Sequence, residues 1–198
     1  IDEKGREITG DQIMVICANI LKREGKLKND LLVTTVMSNL GLTVACKKYG
    51  FRHHASKVGD RYVLEDMKRL DGIIGGEEAG HMIFLDHHTT RDGIIAALQL
   101  VAAMIKEGKP LSELARMMDI FPQKLINVDV KRKPNIEDVP KLVQAIRQAE
   151  SELGGEGRVL VRYSGTQNMC RVMVEGPSDA VTEKYCRQIA DVVKSELG

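Results

Sequence analysis

The sequence predicts an α/β fold: a three-layer α/β domain over residues 1–120, followed by a small α+β domain over residues 121–198. Three observations predict it. Through about residue 110, short β-branched runs alternate with segments of helical apolar spacing, the rhythm of a mostly parallel sheet covered by helices. Beyond that point the order becomes strand, helix, strand, strand, helix. Between the two regions, Phe121-Pro122 interrupts the helical pattern of "PLSELARMMDIFPQ" and sets the boundary near residues 118–122.

The elements follow in order. "IDEKGREITG" reads as a strand end and a glycine turn, and since Ile1 is not an initiator methionine, a preceding segment is expected. "DQIMVICANILKRE", residues 11–24, has helical apolar spacing and a stop at Gly25. "DLLVTTVM" suits a buried strand, and Ser38 or Asn39 can cap a helix that ends near Gly50. "RHHAS" is a short strand, and a helix runs through "DRYVLEDMKRL". "DGIIGGEEAGHMIFLD" reads as two strands around a glycine-rich turn. "RDGIIAALQLVAAMIKEG" is expected to be an amphipathic helix, ended by Gly108 and Pro110. In the second region, "KLINVDVK" alternates as a strand and "IEDVPKLVQAIRQAESEL" forms a helix with one early proline. "GRVLVRY" and "CRVMVEG" pair as strands, and residues 179–197 close the chain as a helix.

Composition narrows the function classes. With 43% hydrophobic and 29% charged residues and a net charge of +1, the chain has no broad electrostatic attraction for nucleic acid or an anionic membrane. Any anion it binds belongs in a local pocket. No apolar run approaches the roughly 20 residues that span a bilayer, and no signal peptide is visible. Cys17, Cys46, Cys170 and Cys186 sit among apolar neighbours without a CxxC pair, which predicts reduced, mostly buried thiols and a cytoplasmic location.

Three stretches carry chemistry-bearing residues. In "RYSGTQNMCRVMVEG", Arg162 and Arg171 bracket a Ser164-Gly165-Thr166 turn. Guanidinium forks match phosphate oxygens, turn N–H groups can form an anion nest, and the Ser164 and Thr166 hydroxyls add donors. The plainer alternative is a strand connection with solvated arginines. In "GGEEAGH", glycines allow a close backbone approach, Glu77 and Glu78 can accept hydrogen bonds from sugar hydroxyls, and His81 can exchange a proton near neutral pH. A glycine-rich hairpin with solvated acids fits equally. In "SKVGDRYV", Lys57, Asp60 and Arg61 occupy a strand-to-helix junction of the kind that lines ligand crevices, or Asp60 simply caps the helix. His53-His54 and His87-His88 lack the spacing of a recognised metal site, and no Walker loop, dinucleotide fingerprint or nucleophile elbow is present.

Taken in order, "GDQIM", "TVMSNLGL", "KVGDRYVLEDM", "GGEEAGH", "TTRDGIIAAL" and "GRVLVRYSGTQNMCRVMVEG" resemble the successive landmarks of the α-D-phosphohexomutases over essentially the whole chain. The resemblance implies a four-domain parent, of which this chain holds the last two domains and a short tail of the second. Glu77 to His81 would then be the sugar-recognition loop, with Glu77 binding hydroxyls and His81 assisting proton transfer or orientation. Arg162, Ser164, Gly165, Thr166 and Arg171 would hold the phosphate that is not reacting. The family passes phosphate from a phosphoserine to the sugar through a bisphosphorylated intermediate, assisted by Mg2+ on an aspartate loop. Neither the phosphoserine segment nor that loop lies in this chain, so no metal ligand is expected here and the piece alone should be inactive.

"VGDRYV" resembles the branch that interconverts glucosamine 6-phosphate and glucosamine 1-phosphate for cell-wall precursor synthesis. The implied partner is a sugar phosphate, with no nucleic acid and no membrane. The branch acting on mannose and glucose phosphates, and a non-catalytic sugar-phosphate binding module, are the alternatives. Three positions depart from the family pattern: Ala79 stands where serine is usual, Gln167 where glutamate is usual and Arg91 where glycine is usual.

Overall fold

The structure, a computed structural model, describes all 198 residues and divides into two compact units, Ile1–Ile120 and Phe121–Gly198. The first unit contains α1 (Gly10–Arg23), β1 (Leu31–Thr35), α2 (Leu40–Tyr49), β2 (Arg52–Ser56), α3 (Asp60–Arg69), β3 (Ile74–Gly76), β4 (Met82–Phe84), α4 (Gly93–Glu107) and the single turn α5 (Leu111–Leu114). Its sheet runs β2-β1-β3-β4, with β1 parallel to both β2 and β3, and β4 antiparallel to β3.

Strand alternation explains the three layers. Leu31 and Val33 of β1 and Ile83 of β4 pack with Val63 and Met67 of α3 on one face. Leu32, Ile74, Met82 and Phe84 point to the other face, against Met14 and Ala18 of α1, Leu42 and Ala45 of α2, and Ala96 of α4. Every residue of β1 is buried, as expected for a strand covered on both sides. A capping box starts α1: Gln12 N donates to Thr9 Oγ1 at 3.3 Å, and Thr9 N donates to Gln12 Oε1 at 3.1 Å. Asn39, rather than Ser38, caps α2, accepting from Gly41 N at 3.0 Å. Ahead of α1 the structure forms a turn closed by Gly5 N donating to Asp2 O, with no strand.

Two helices of the first unit depart from expectation. Helix α4 is apolar on its outer face as well: Ile94, Leu98, Val101 and Ile105 recur at spacings of four, three and four, and all are exposed. The sequence there is too uniformly apolar to carry an amphipathic pattern, and only Ala96 and Ala103 of α4 are fully buried. At α3, Gly59 occupies the N-cap position and Asp60 is already helical, its Oδ1 accepting from the neighbouring Arg61 N at 2.9 Å.

The second unit contains β5 (Gln123–Asp129), α6 (Pro140–Leu153), β6 (Arg158–Tyr163), β7 (Met169–Glu175) and α7 (Asp179–Leu197), with an antiparallel sheet ordered β5-β7-β6. The sixth helix begins later than its apolar pattern suggests, at Pro140 in the first helical turn, where a missing N–H costs nothing. Cys170, Val172 and Val174 of β7 face Leu142 and Ala149 of α6 and Cys186, Ile189 and Val193 of α7. Arg171, Met173 and Glu175 therefore lie on the opposite face, where Met173 and Glu175 are buried. All four cysteines are buried and unpaired. Burial pushes the Cys17 and Cys46 thiols up to about 12, and those of Cys170 and Cys186 up to about 11. No helix is long and apolar enough to cross a membrane.

Candidate functional site

The β6–β7 hairpin sets Arg162 and Arg171 directly opposite each other. The next residue of the same row is Asn127, opposite Arg171 on β5. Like charges facing across a strand pair are destabilising, so such a pair needs an anion or a carboxylate beside it. No carboxylate forms a salt bridge with either guanidinium, and the buried Nε of Arg171 has no hydrogen-bond partner. Burial first, and the charge of Arg171 second, hold the pKa of Arg162 below its ordinary value. The hairpin has a different ion pair at its other end, where Arg158 Nε meets the fully buried Glu175 at 2.5 Å. The unmatched positive charge is thus confined to the turn end.

The 164–168 turn is held from below. Ser164 is buried, its N–H donates to Met169 O at 2.8 Å, and its Oγ accepts from Gln167 N at 3.3 Å. Gly165 and Thr166 are exposed, and a side-chain carbon at Gly165 would touch nothing within 4 Å. Lys133 supplies a support that sequence reasoning missed: its Nζ donates to Ser164 O at 2.9 Å and to Gln167 O at 2.7 Å. It lies 31 and 34 residues from those partners, so no local pattern announces it.

In the first unit, residues 77–81 form the tight connection between β3 and β4. Glu77 N donates to His81 O at 3.0 Å, and Gly80 N donates to Glu77 O at 2.9 Å, with Gly80 at φ +91°, a conformation that favours glycine. The loop rests on the start of α1, where Gly10 N donates to Glu78 O at 2.9 Å. A methyl group on Gly10 would lie 2.5 Å from Glu77 O and 2.6 Å from Glu78 O, so only glycine fits beneath the loop. This is a second residue that sequence reasoning missed.

Glu77 is the best buried acid of the loop, with 15% of its side chain exposed. Its Oε1 accepts from Gly59 N at 2.9 Å, and its Oε2 lies 3.3 Å from His81 Nδ1. A carboxylate has about four lone-pair sites, so Glu77 keeps acceptor capacity for a ligand. Arg91 joins the cluster, with Nη1 2.7 Å from Asp60 Oδ2 and 3.4 Å from His81 Nδ1. The structure therefore brings Glu77, His81 and Asp60 together. It does not bring in Lys57, whose ammonium lies 5.9 Å from the Tyr62 ring centroid, or Arg61, which pairs with Glu65 one helical turn away. Glu78 is exposed, and its backbone carbonyl is the part that meets α1.

The doubled histidines are engaged singly. His53 bonds Thr34 and Thr43, His54 bonds Asp66, His87 bonds Gln99 and His88 bonds Thr90. No three His, Cys, Asp or Glu side chains group in a way that could hold a metal ion.

Two family models match, side by side. The model described as phosphoglucomutase/phosphomannomutase, alpha/beta/alpha domain III, matches residues 9–121, and that described as phosphoglucomutase/phosphomannomutase, C-terminal domain, matches residues 125–192. The chain is 74% identical over 198 residues to the phosphoglucosamine mutase of Syntrophobacter fumaroxidans, covering 100% of this chain and 44% of that protein. It is 48% identical over 198 residues to the phosphoglucosamine mutase of Bacillus subtilis, again covering 100% of this chain and 44% of that protein. The chain thus spans less than half the length of the curated relatives it matches. Among solved structures, Aspergillus fumigatus N-acetylphosphoglucosamine mutase in complex with GlcNAc-6P and magnesium shares the fold, with a TM-score of 0.82 at 19% identity over 98% of this chain and 46% of that one. The layered first unit and the antiparallel second unit each coincide with one of the two matched models, and on that match the chain belongs to the phosphoglucomutase/phosphomannomutase family.

Proposed function

We propose that the chain is the sugar- and phosphate-recognising part of a cytoplasmic phosphoglucosamine mutase, which interconverts glucosamine 6-phosphate and glucosamine 1-phosphate through a phosphoserine and a bisphosphorylated sugar. The single observation that carries the phosphate assignment is the facing Arg162–Arg171 pair, which no carboxylate neutralises. The relatives at 74% and 48% identity, both phosphoglucosamine mutases, support the choice of sugar.

In this reading the second unit grips the phosphate that is not reacting. Arg162 and Arg171 supply charge-assisted donors, and the turn adds Ser164, Thr166 and the backbone N–H groups around Gly165. Binding energy from that remote phosphate orients the reacting end. The first unit recognises the sugar: Glu77 accepts from hydroxyl groups, and His81, with Nδ1 turned to Glu77, keeps Nε2 for exchange or orientation of a proton. The nucleophilic serine and the magnesium ligands belong to sequence outside this chain, so the 198-residue chain alone turns nothing over.

The test is a coupled assay on the full-length protein with glucosamine, glucose and mannose phosphates. The expected kcat/KM for glucosamine phosphate exceeds the others by at least about tenfold, the discrimination that a site built to bond a distinguishing group supplies. Preferential turnover of glucose or mannose phosphate would assign the chain to that branch instead.

A further inference from the structure

We infer that Arg91 is a positioning residue for the 77–81 loop, locking Asp60 and His81 into one fixed arrangement, an inference that rests on reading this loop as the sugar-recognition element.

Three separate segments meet here: the start of α3, the β3–β4 connection and the residues just before α4. Gly59 N donates to Glu77 Oε1 at 2.9 Å, and Arg91 Nη1 donates to Asp60 Oδ2 at 2.7 Å. His81 Nδ1 sits between the two, 3.3 Å from Glu77 Oε2 and 3.4 Å from Arg91 Nη1; it donates to the carboxylate when it carries the proton and accepts from the guanidinium when it does not. Arg91 is the side chain of the third segment that reaches both Asp60 and His81.

The base of Arg91 is rigid. The next residue, Asp92, caps α4, accepting from Ile94 N at 2.8 Å and Ile95 N at 2.9 Å, and its own N–H donates to Met82 O at 3.3 Å. The guanidinium is thus anchored to a helix start and to β4 while its tip holds α3 and the 77–81 loop. Without it, the remaining partner of Asp60 is the N–H of its own neighbour Arg61, at 2.9 Å, and His81 is held by Glu77 alone at a long 3.3 Å.

Half of the Arg91 side chain and 38% of the Asp60 side chain are exposed. An exposed ion pair stabilises a fold little, whereas fixing two side chains from different segments affects how often the loop holds its working geometry. The effect therefore belongs in turnover rather than in melting temperature.

The experiment uses the full-length enzyme with Arg91→Gly, Arg91→Lys, Asp60→Asn and the Asp60→Asn/Arg91→Gly double variant, with Glu77→Gln as the control for the loop itself. Arg91→Gly is expected to lower kcat about 5- to 20-fold with KM within about twofold and an unchanged melting temperature, the pattern of lost transition-state positioning. Lysine should restore part of kcat, because it keeps the charge and loses the fork. The double variant should be no worse than the poorer single one. Unchanged kcat in Arg91→Gly, or a raised KM alone, overturns the inference while leaving the loop assignment standing if Glu77→Gln is impaired. Full activity in Glu77→Gln overturns both.

Discussion

Arg162 and Arg171 sit directly opposite each other at the turn end of the β6–β7 hairpin, two like charges with no carboxylate between them. At the other end of the same hairpin Arg158 is neutralised by Glu175. One hairpin thus solves its charge problem internally at one end and leaves it for a ligand at the other.

Binding and stability should respond in opposite directions at this pair. Either Arg→Ala should weaken sugar-phosphate binding about 10- to 150-fold, the worth of a charge-assisted bond. The double substitution should cost less than the sum of the two, because both act on one phosphate. Without ligand, Arg171→Met should raise stability by up to about 1 kcal/mol by removing cross-strand repulsion. Calorimetric titration and urea unfolding of the same variants check both signs.

Lys133→Met should weaken phosphate binding about tenfold, since the lost bonds to Ser164 O and Gln167 O hold the turn rather than the ligand. Arginine at 133 should recover part of the loss, because it too is a cationic donor. Calorimetry on folded variants reads the change, and wild-type affinity in Lys133→Met would reduce this lysine to a surface contact.

Two glycine-to-alanine substitutions should have opposite effects. Gly10→Ala places a methyl group against three backbone atoms of the 77–80 loop, at 2.5, 2.6 and 2.9 Å, and backbone cannot rotate away. A loss of about 1–3 kcal/mol and a displaced loop are expected. Gly93→Ala, where nothing lies within 4 Å, should stabilise α4 by up to about 1 kcal/mol. Thermal unfolding of both variants makes the comparison.

Asp66 predicts a specific acid response. Its hydrogen bonds from Arg69 first, and from His54 next, hold its carboxyl down from the ordinary 3.8 to about 2. A depressed carboxylate stabilises the fold fully above its unfolded value, and that stabilisation is lost as pH falls through the folded value. Asp66→Asn should therefore be less stable than the wild type above pH 3.8, with the difference shrinking as pH approaches about 2. Urea midpoints across that range give the comparison.

Elements and register were legible in the sequence wherever one local pattern had one solution. The alternation of β7 by itself places Val172 and Val174 inward, and hence Arg171 outward, as the structure has them. The SGT turn gives the hairpin its centre, so Arg162 and Arg171 can be recognised as partners. What stayed hidden was set by distant segments. Gly10 matters because a loop 67 residues later lies on it, Lys133 because the chain returns to it 31 residues later, and Gly59 takes the cap position with its N–H already given to Glu77. The exposed apolar stripe of α4 escaped because its sequence is apolar on more than one face, which leaves periodicity nothing to separate.

Phosphate binding at the 164–168 turn is the property on which the proposed function depends most directly. Amide NMR of the 198-residue chain, titrated in parallel with glucosamine 6-phosphate, inorganic phosphate and glucosamine, tests it. Both phosphates should shift the amides of residues 164–168 and glucosamine should not, and the Arg162→Ala/Arg171→Ala variant should lose the response. Glucosamine acting as strongly as its phosphate, or phosphate leaving those amides unmoved, would contradict the account.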